Sequence, residues 1–168
     1  KYIPIFKNAI KTHTNSARDS ILNYILITGD TNCIKGKQMF IQGSPILKTQ
    51  KGIKTGRLSG IVAHHIPFYL RPSRMPSWDV NCIEDWEEKI NAIVDQTINQ
   101  NMTLISGIPP WVQMYFEKII EKSGKQIGDV FRNFSLLIYG GVSFKPYKKI
   151  FDELIGRKVN SIEVYPAS

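Results

Sequence analysis

Apolar residues along the chain switch repeatedly between helical and extended spacing, which predicts a layered α/β protein. Residues 2–5 read as the end of a strand, with Pro4 near the start of the following helix. In that helix Phe6, Ile10, Ala17, Ile21 and Ile25 recur at spacings near four and share a face. Gly29-Asp30 supplies the stop, because glycine tolerates the left-handed conformation at a helix C-terminus. Met39-Phe40-Ile41 predicts a short strand, residues 43–60 a loop, and residues 58–66 a weaker strand. Pro67, Pro72 and Pro76 then block both ladder and helix, so their segment is expected to be an ordered loop.

The second half repeats the alternation. Asn81 is a candidate cap with Glu84 as its reciprocal partner, ahead of a helix whose stripe is Trp86, Ile90, Ile93, Val94 and Ile98. Asp85, Glu87 and Glu88 lie in its first turns, where negative charge complements the helix dipole. Residues 102–106 form a strand ending at Gly107. Pro109-Pro110 opens a helix with Val112, Tyr115, Phe116, Ile119 and Ile120 on its apolar face, and Gly124 ends it. Leu136-Leu137-Ile138-Tyr139 is a continuous apolar run, the mark of a parallel strand buried on both faces, and it breaks at Gly140-Gly141. Residues 146–154 return as a short helix and 161–165 as a final strand. The expected fold is therefore a mostly parallel sheet flanked by helices and joined by right-handed crossovers.

Composition narrows the class. The 168 residues, 19.2 kDa, suffice for a single domain over 1–168 with a sizeable core. With 42% hydrophobic and 21% charged residues, a disordered tail, a collagen-like repeat and a membrane-embedded bundle are excluded. No apolar run approaches the roughly 20 residues that span a bilayer. The first residues have no initiator Met and no signal layout, so the chain reads as the middle of something longer, and its two cysteines suit the cytoplasm. Cys33 and Cys82 lack any short spacing and fit free thiols in a reducing compartment.

Twenty-two Lys and Arg face 14 Asp and Glu, a formal charge of +8 with a pI near 9.5. Such a charge favours polyanions, nucleic acid among them, and Arg71 and Arg74 are the exposed cations on which a nucleic-acid-binding module would rest. The basic residues are scattered, however, and the aromatic-basic pattern of RNA modules is missing. A surface rich in lysine reads the same way.

Candidate chemistry gathers where predicted strands end, since ligands of open α/β sheets bind beyond the carboxyl ends of strands. Gly140-Gly141 removes two side chains, so a flat ring could lie against the backbone, although a tight strand-to-helix turn needs the same pair. Tyr165 ends the neighbouring strand and could stack on such a ring, and Ser168 could hydrogen-bond a phosphate or carboxylate. Rival motifs are incomplete. Gly52-Ile53-Lys54-Thr55-Gly56-Arg57 has no Gly-Lys-Ser/Thr triplet at phosphate-loop spacing. His64-His65 point to opposite faces of a strand and lack a third metal ligand. No Gly-x-Ser-x-Gly elbow occurs. Phe68, Tyr69, Trp78 and Trp111 could line an apolar pocket or pack in the core.

Five stretches in order carry a resemblance. They are Lys1-Tyr2-Ile3-Pro4, Trp86-Glu87-Glu88-Lys89-Ile90, Gly107-Ile108-Pro109-Pro110-Trp111, Tyr139-Gly140-Gly141-Val142-Ser143-Phe144 and Tyr165-Pro166-Ala167-Ser168. Together they resemble the auxin-responsive-promoter family of acyl-acid amido synthetases, particularly its bacterial members, within the adenylate-forming superfamily of acyl-CoA synthetases and luciferase. The stretches span nearly the whole chain, and the last two are the most specific.

The resemblance implies an ATP-dependent ligase that activates a carboxylic acid as its acyl-adenylate and passes it to an amino acid or other amine. It implies that this chain is an internal fragment of the large N-terminal adenylating domain. Lys1 would end a phosphate loop that precedes the chain, and a phosphate-contacting Glu would follow Ser168. The ribose-holding aspartate and the lid with its catalytic lysine would lie further on. The fragment by itself is therefore expected to be inactive, with no catalytic residue and no metal ligand of its own. ATP and magnesium are the implied cofactors, held mainly by residues outside the chain, and no membrane partner is implied. By resemblance Gly140, Gly141 and Val142 pass along the adenine and acyl group, and Tyr165 stacks on the adenine. Ala167 and Ser168 lie beside the α-phosphate. Pro67, Phe68, Trp111 and Phe144, with the first helix, enclose the acyl group.

Overall fold

The computed structural model describes residues 3–164. Its strands are β1 (Lys37–Phe40), β2 (Lys48–Gln50), β3 (Ile53–Thr55), β4 (Arg74–Met75), β5 (Met102–Gly107), β6 (Leu136–Gly140) and β7 (Asn160–Val164). Its α-helices are α1 (Lys7–Thr28), α2 (Leu58–Ala63), α3 (Trp78–Cys82), α4 (Trp86–Thr97), α5 (Pro109–Ser123), α6 (Ile127–Val130) and α7 (Lys148–Ile155). Five strands form one parallel sheet in the order β4-β1-β5-β6-β7, as expected for an α/β protein with helices on its faces. The strand order reverses between β1 and β5. From β1 the chain steps outward to β4, then crosses back past β1 to begin the run β5, β6, β7.

The centre of the sheet is dry on both sides. Met39, Met102, Ile105 and Leu137 face α4, α5 and α7, while Leu104, Leu136 and Ile138 face α1. A bulge fixes which residue of β5 points where. Lys37 pairs with Met102 but Gln38 pairs with Leu104, so Thr103 is the extra residue. Its hydroxyl donates to the Cys33 carbonyl at 3.0 Å and the Lys37 carbonyl at 3.3 Å, satisfying groups that the interrupted ladder leaves open. Gly36 makes room for this turn, since a Cβ there would fall within 2.5 Å of Thr103 Cγ2.

The helices share this work unequally. On α5, Val112, Tyr115, Phe116 and Ile119 are all fully buried, and each apolar side chain of that kind contributes about 1.5–3 kcal/mol. On α1 only Ile10 and Tyr24 are buried. The loss of α5 would therefore cost far more than the loss of α1. What holds α1 in place is partly polar: the Tyr24 hydroxyl donates to Asp30 Oδ2 at 2.7 Å and accepts from Asn160 Nδ2 of β7 at 2.8 Å.

Several expected elements differ. Residues 3–5 are irregular, not strand, and α1 starts at Lys7. Of its expected face, Phe6 and Ala17 are exposed, while Ile21 and Ile25 pack beside Tyr24. Gly29 does end α1, at φ 71°. The expected loop at 43–60 contains the β2–β3 hairpin, closed by Lys51 and Gly52 at positive φ. Both strands are solvent-exposed, so no apolar alternation marked them. Residues 58–63 are helix rather than strand, because burying Gly60 and Ala63 on one side needs helical spacing. The proline segment carries a 3-10 turn at Phe68–Ser73, the edge strand β4 and a cis Met75–Pro76 bond.

Asn81 caps nothing; it lies inside α3, whose cap is Ser77. The cap of α4 is Asp85, which accepts from the Glu88 amide at 2.8 Å. Arg74 is not an exposed cation. Its guanidinium sits 4.0 Å over the Phe40 ring, and burial lowers its pKa to about 10. Among the described residues no helix is long and apolar enough to cross a membrane.

At Gly140, paired with Val164, β6 has no room for a side chain. An added Cβ would lie 2.0 Å from the Val164 carbonyl oxygen, backbone that no rotamer change can move. Gly140→Ala is expected to destabilise the fold by about 1–3 kcal/mol. Gly124→Ala has open space and carries only the strain of positive φ, so about 1 kcal/mol is expected. Urea unfolding of both variants checks the order.

Candidate functional site

Two places lie beyond the carboxyl ends of the parallel strands. The first is the turn after β6. Its glycines have structural reasons: the approach of β7 at Gly140, and a φ of 84° at Gly141. Yet Gly141 and Val142 are exposed, so the turn leaves bare backbone open to solvent. The nearest atom to a Cβ built on Gly141 is Ile108 Cγ2, at 3.3 Å.

The second place is a cleft of about 940 Å³ at the point where the strand order reverses. Gly43 and Ser44, just after β1, form one side, and Trp111, in the first turn of α5 after β5, forms the other. The β2–β3 hairpin closes it through Lys48, Gln50 and Thr55. Ser44 Oγ donates to the Cys82 carbonyl at 3.3 Å, which ties the loop after β1 to the end of α3. The Arg57 guanidinium lies across Gly43, where a Cβ would approach its Nη1 to 2.8 Å. Trp86 and Trp111 form an aromatic wall with ring centres 4.7 Å apart.

Lys89 is the unusual group of this cleft. It is only 1% exposed, and its ammonium donates to the Asn81 carbonyl at 2.5 Å. Among the described residues no carboxylate lies within ion-pair distance of it. Burial lowers its pKa from 10.5, opposed by the neighbouring Cys82. The Asn81 side-chain oxygen is also buried without a partner. Buried cations are rarely left unpaired, so the arrangement marks a site.

The residues singled out from the sequence are dispersed. Trp111 lines the cleft, but Pro67, Phe68 and Phe144 do not. Phe68 is 80% exposed on its 3-10 turn. Phe144 stacks on Tyr139 at 4.0 Å and meets Phe151 at 5.2 Å, on the edge of the core. His64 Nε2 donates to the Pro45 carbonyl, 2.9 Å away, and its ring meets Trp78 edge-on. Lys1, Tyr165, Ala167 and Ser168 lie outside the described residues. Sequence reasoning passed over Lys89, although its spacing was informative. It stands three residues after Trp86 and four before Ile93, on the stripe that α4 buries.

The lowered pKa makes stability depend on pH. The unfolded chain holds the Lys89 proton up to 10.5, whereas the folded protein releases it at lower pH. Stability therefore rises with pH through that window, because the unfolded state binds more protons there. Lys89→Met is expected to remove this rise. Urea unfolding from neutral pH to just below 10.5 checks it, the wild type gaining on the variant as pH increases.

Compared with protein-family models, curated proteins and solved structures, the chain gives no match.

Proposed function

We propose that this chain is part of an ATP-dependent acyl-acid amido synthetase. The reading is supported by the exposed backbone of Gly141 and Val142 at the carboxyl end of β6. Gly140 pairs there with Val164, and Tyr165-Pro166-Ala167-Ser168 follows directly in the sequence. A glycine pair at the end of β6 and a tyrosine motif that follows β7 in the sequence suit a flat base and its phosphate, and their order along the chain is that of the family it resembles.

In this reading a carboxylate attacks the α-phosphate of ATP, forming the acyl-adenylate and releasing pyrophosphate. The amine of an amino acid then attacks the acyl carbon and AMP leaves. The chain's contribution is positioning: the bare turn after β6 lets the base approach the backbone, and the crevice brings the acid to the same end of the sheet. Among the described residues no cluster of three or more His, Cys, Asp or Glu side chains could hold a metal, so magnesium is assigned to none of them.

Gly141→Phe tests the reading in the intact protein. The position is exposed, so the fold is expected to survive with about 1–2 kcal/mol of strain from the positive φ. Acid-dependent exchange of pyrophosphate into ATP is expected to fall by at least about 100-fold, since the ring would occupy the path of the base. Unchanged exchange in a folded variant would refute the assignment.

A further inference from the structure

The outer groove between α4 and α5 opposes the charge of the whole molecule. The chain carries +8, yet this groove of about 540 Å³ is lined by Asp85, Glu87, Glu117 and Glu121 against Lys118 alone. Lys118 is already paired with Glu121 at 3.1 Å. Asp85 caps α4 and Glu117 accepts from Gln113, so among the described residues neither they nor Glu87 meet a cation. The floor is apolar. The Trp86 indole N–H points at the Met114 sulfur, 3.4 Å away, and the buried Ile90 completes the surface. Met114 itself is 40% exposed, an adaptable side chain left open to solvent. Such a groove fits a partner that is apolar at its centre and cationic around it.

The chain carries a surface of that kind. Lys48, Lys51 and Lys54 lie along the exposed β2–β3 hairpin, and no carboxylate pairs with them among the described residues. Ile53, next to the turn, is 68% exposed and covers nothing in its own fold. Hairpin and groove are also neighbours: Trp86 lines both the groove and the cleft that Lys48, Gln50 and Thr55 close. Two complementary patches side by side suit a two-fold axis, because each copy then offers its hairpin to the groove of the other.

We propose that the α4–α5 groove receives the β2–β3 hairpin of a second copy of this chain, and that reciprocal exchange of hairpins makes a homodimer. Ile53 rests on Trp86 and Met114, while Lys51 and Lys54 face Glu87, Glu117 and Glu121. The two-fold forms the contact twice, so two small grooves act together. A basic partner of another kind would satisfy the groove but leave the exposed Ile53 unexplained, whereas a second copy accounts for both surfaces. Neither nucleotide nor acid takes part, so failure of this inference leaves the ligase reading untouched.

Sedimentation of the intact protein, without ATP, reads the association. A dimer is expected whose dissociation constant rises at least about tenfold between about 0.05 M and about 0.5 M salt. Lys51→Glu with Lys54→Glu, and separately Glu117→Lys with Glu121→Lys, are expected to give folded monomers, since all four residues are exposed. Mixed in equal amounts, the two variants are expected to recover the dimer, because each reversed hairpin then meets a reversed groove and each native hairpin a native one. Ile53→Ser leaves every charge in place and is expected to weaken the dimer at least about tenfold. A wild-type monomer at every concentration up to about 0.5 mM would overturn the proposal. If that monomer binds an added lysine–leucine peptide, the groove belongs to another protein and the second copy is excluded as its occupant. A dimer indifferent to both charge reversals, or a mixture of folded variants that stays monomeric, would overturn the proposal as well.

Discussion

A strand that must be dry on both faces organises this protein. Met102, Thr103, Leu104 and Ile105 of β5 are all buried, so every neighbour is placed to keep water from one side or the other. Parallel partners flank the strand, and helices must cover its two faces. On one face α4, α5 and α7 interleave Ile93, Phe116 and Phe151 above the strands. On the other a single long helix, α1, covers Leu104 and Leu136 with little more than Tyr24, Ile21 and Ile25. The Thr103 bulge is the local adjustment that lets two residues of β5 serve one face in quick succession. It is stable because its hydroxyl answers the carbonyls that the bulge exposes.

The same arrangement creates the crevice. Because the chain leaves β1 in one direction and resumes at β5 in the other, the connections after these strands diverge and leave a gap above them. The gap is walled by what each connection happens to carry: the hairpin after β1 and the tryptophan in the first turn of α5. The turn after β6 arises differently. Its glycines are required by the approach of β7 and by a left-handed residue, and those requirements are met whether or not a ligand binds. Exposed backbone there is permissive for a ligand, whereas an unpaired buried cation in the crevice calls for one.

How legible these features were follows from where each residue's burial comes from. The elements of the sheet and its main helices could be read because their apolar positions are buried by neighbours of their own layer; α5 and β6 show this clearly. The β2–β3 hairpin could not, since neither of its faces is buried and its turn residues are Lys51 and Gly52 rather than a familiar asparagine-glycine pair. Asn81 and Asp85 were confused because both stand before acidic residues at capping distance, and only the one-turn helix α3 decides between them. For the site, Trp111 was legible as an aromatic beside a strand end. Lys89 was legible only as a break in the stripe of α4, and Arg57 and Lys48 were brought in by the hairpin.

Why a lysine should stand on the buried stripe of α4 is a question of energetics. A leucine or methionine there would extend the buried apolar stripe of α4 and avoid desolvating an ammonium, a gain of a few kcal/mol by ordinary burial. The hydrogen bond to the Asn81 carbonyl returns about 1.5–3 kcal/mol at most and serves to hold α3 against α4. An apolar residue would leave that carbonyl unpaired, so part of the lysine's cost is offset structurally. The remainder is not, because the described residues place no carboxylate within reach. Local features that oppose stability concentrate where a protein binds something. Here the opposing feature stands on a rigid helix beside two tryptophans, at the point of the sheet where open α/β folds place their ligands.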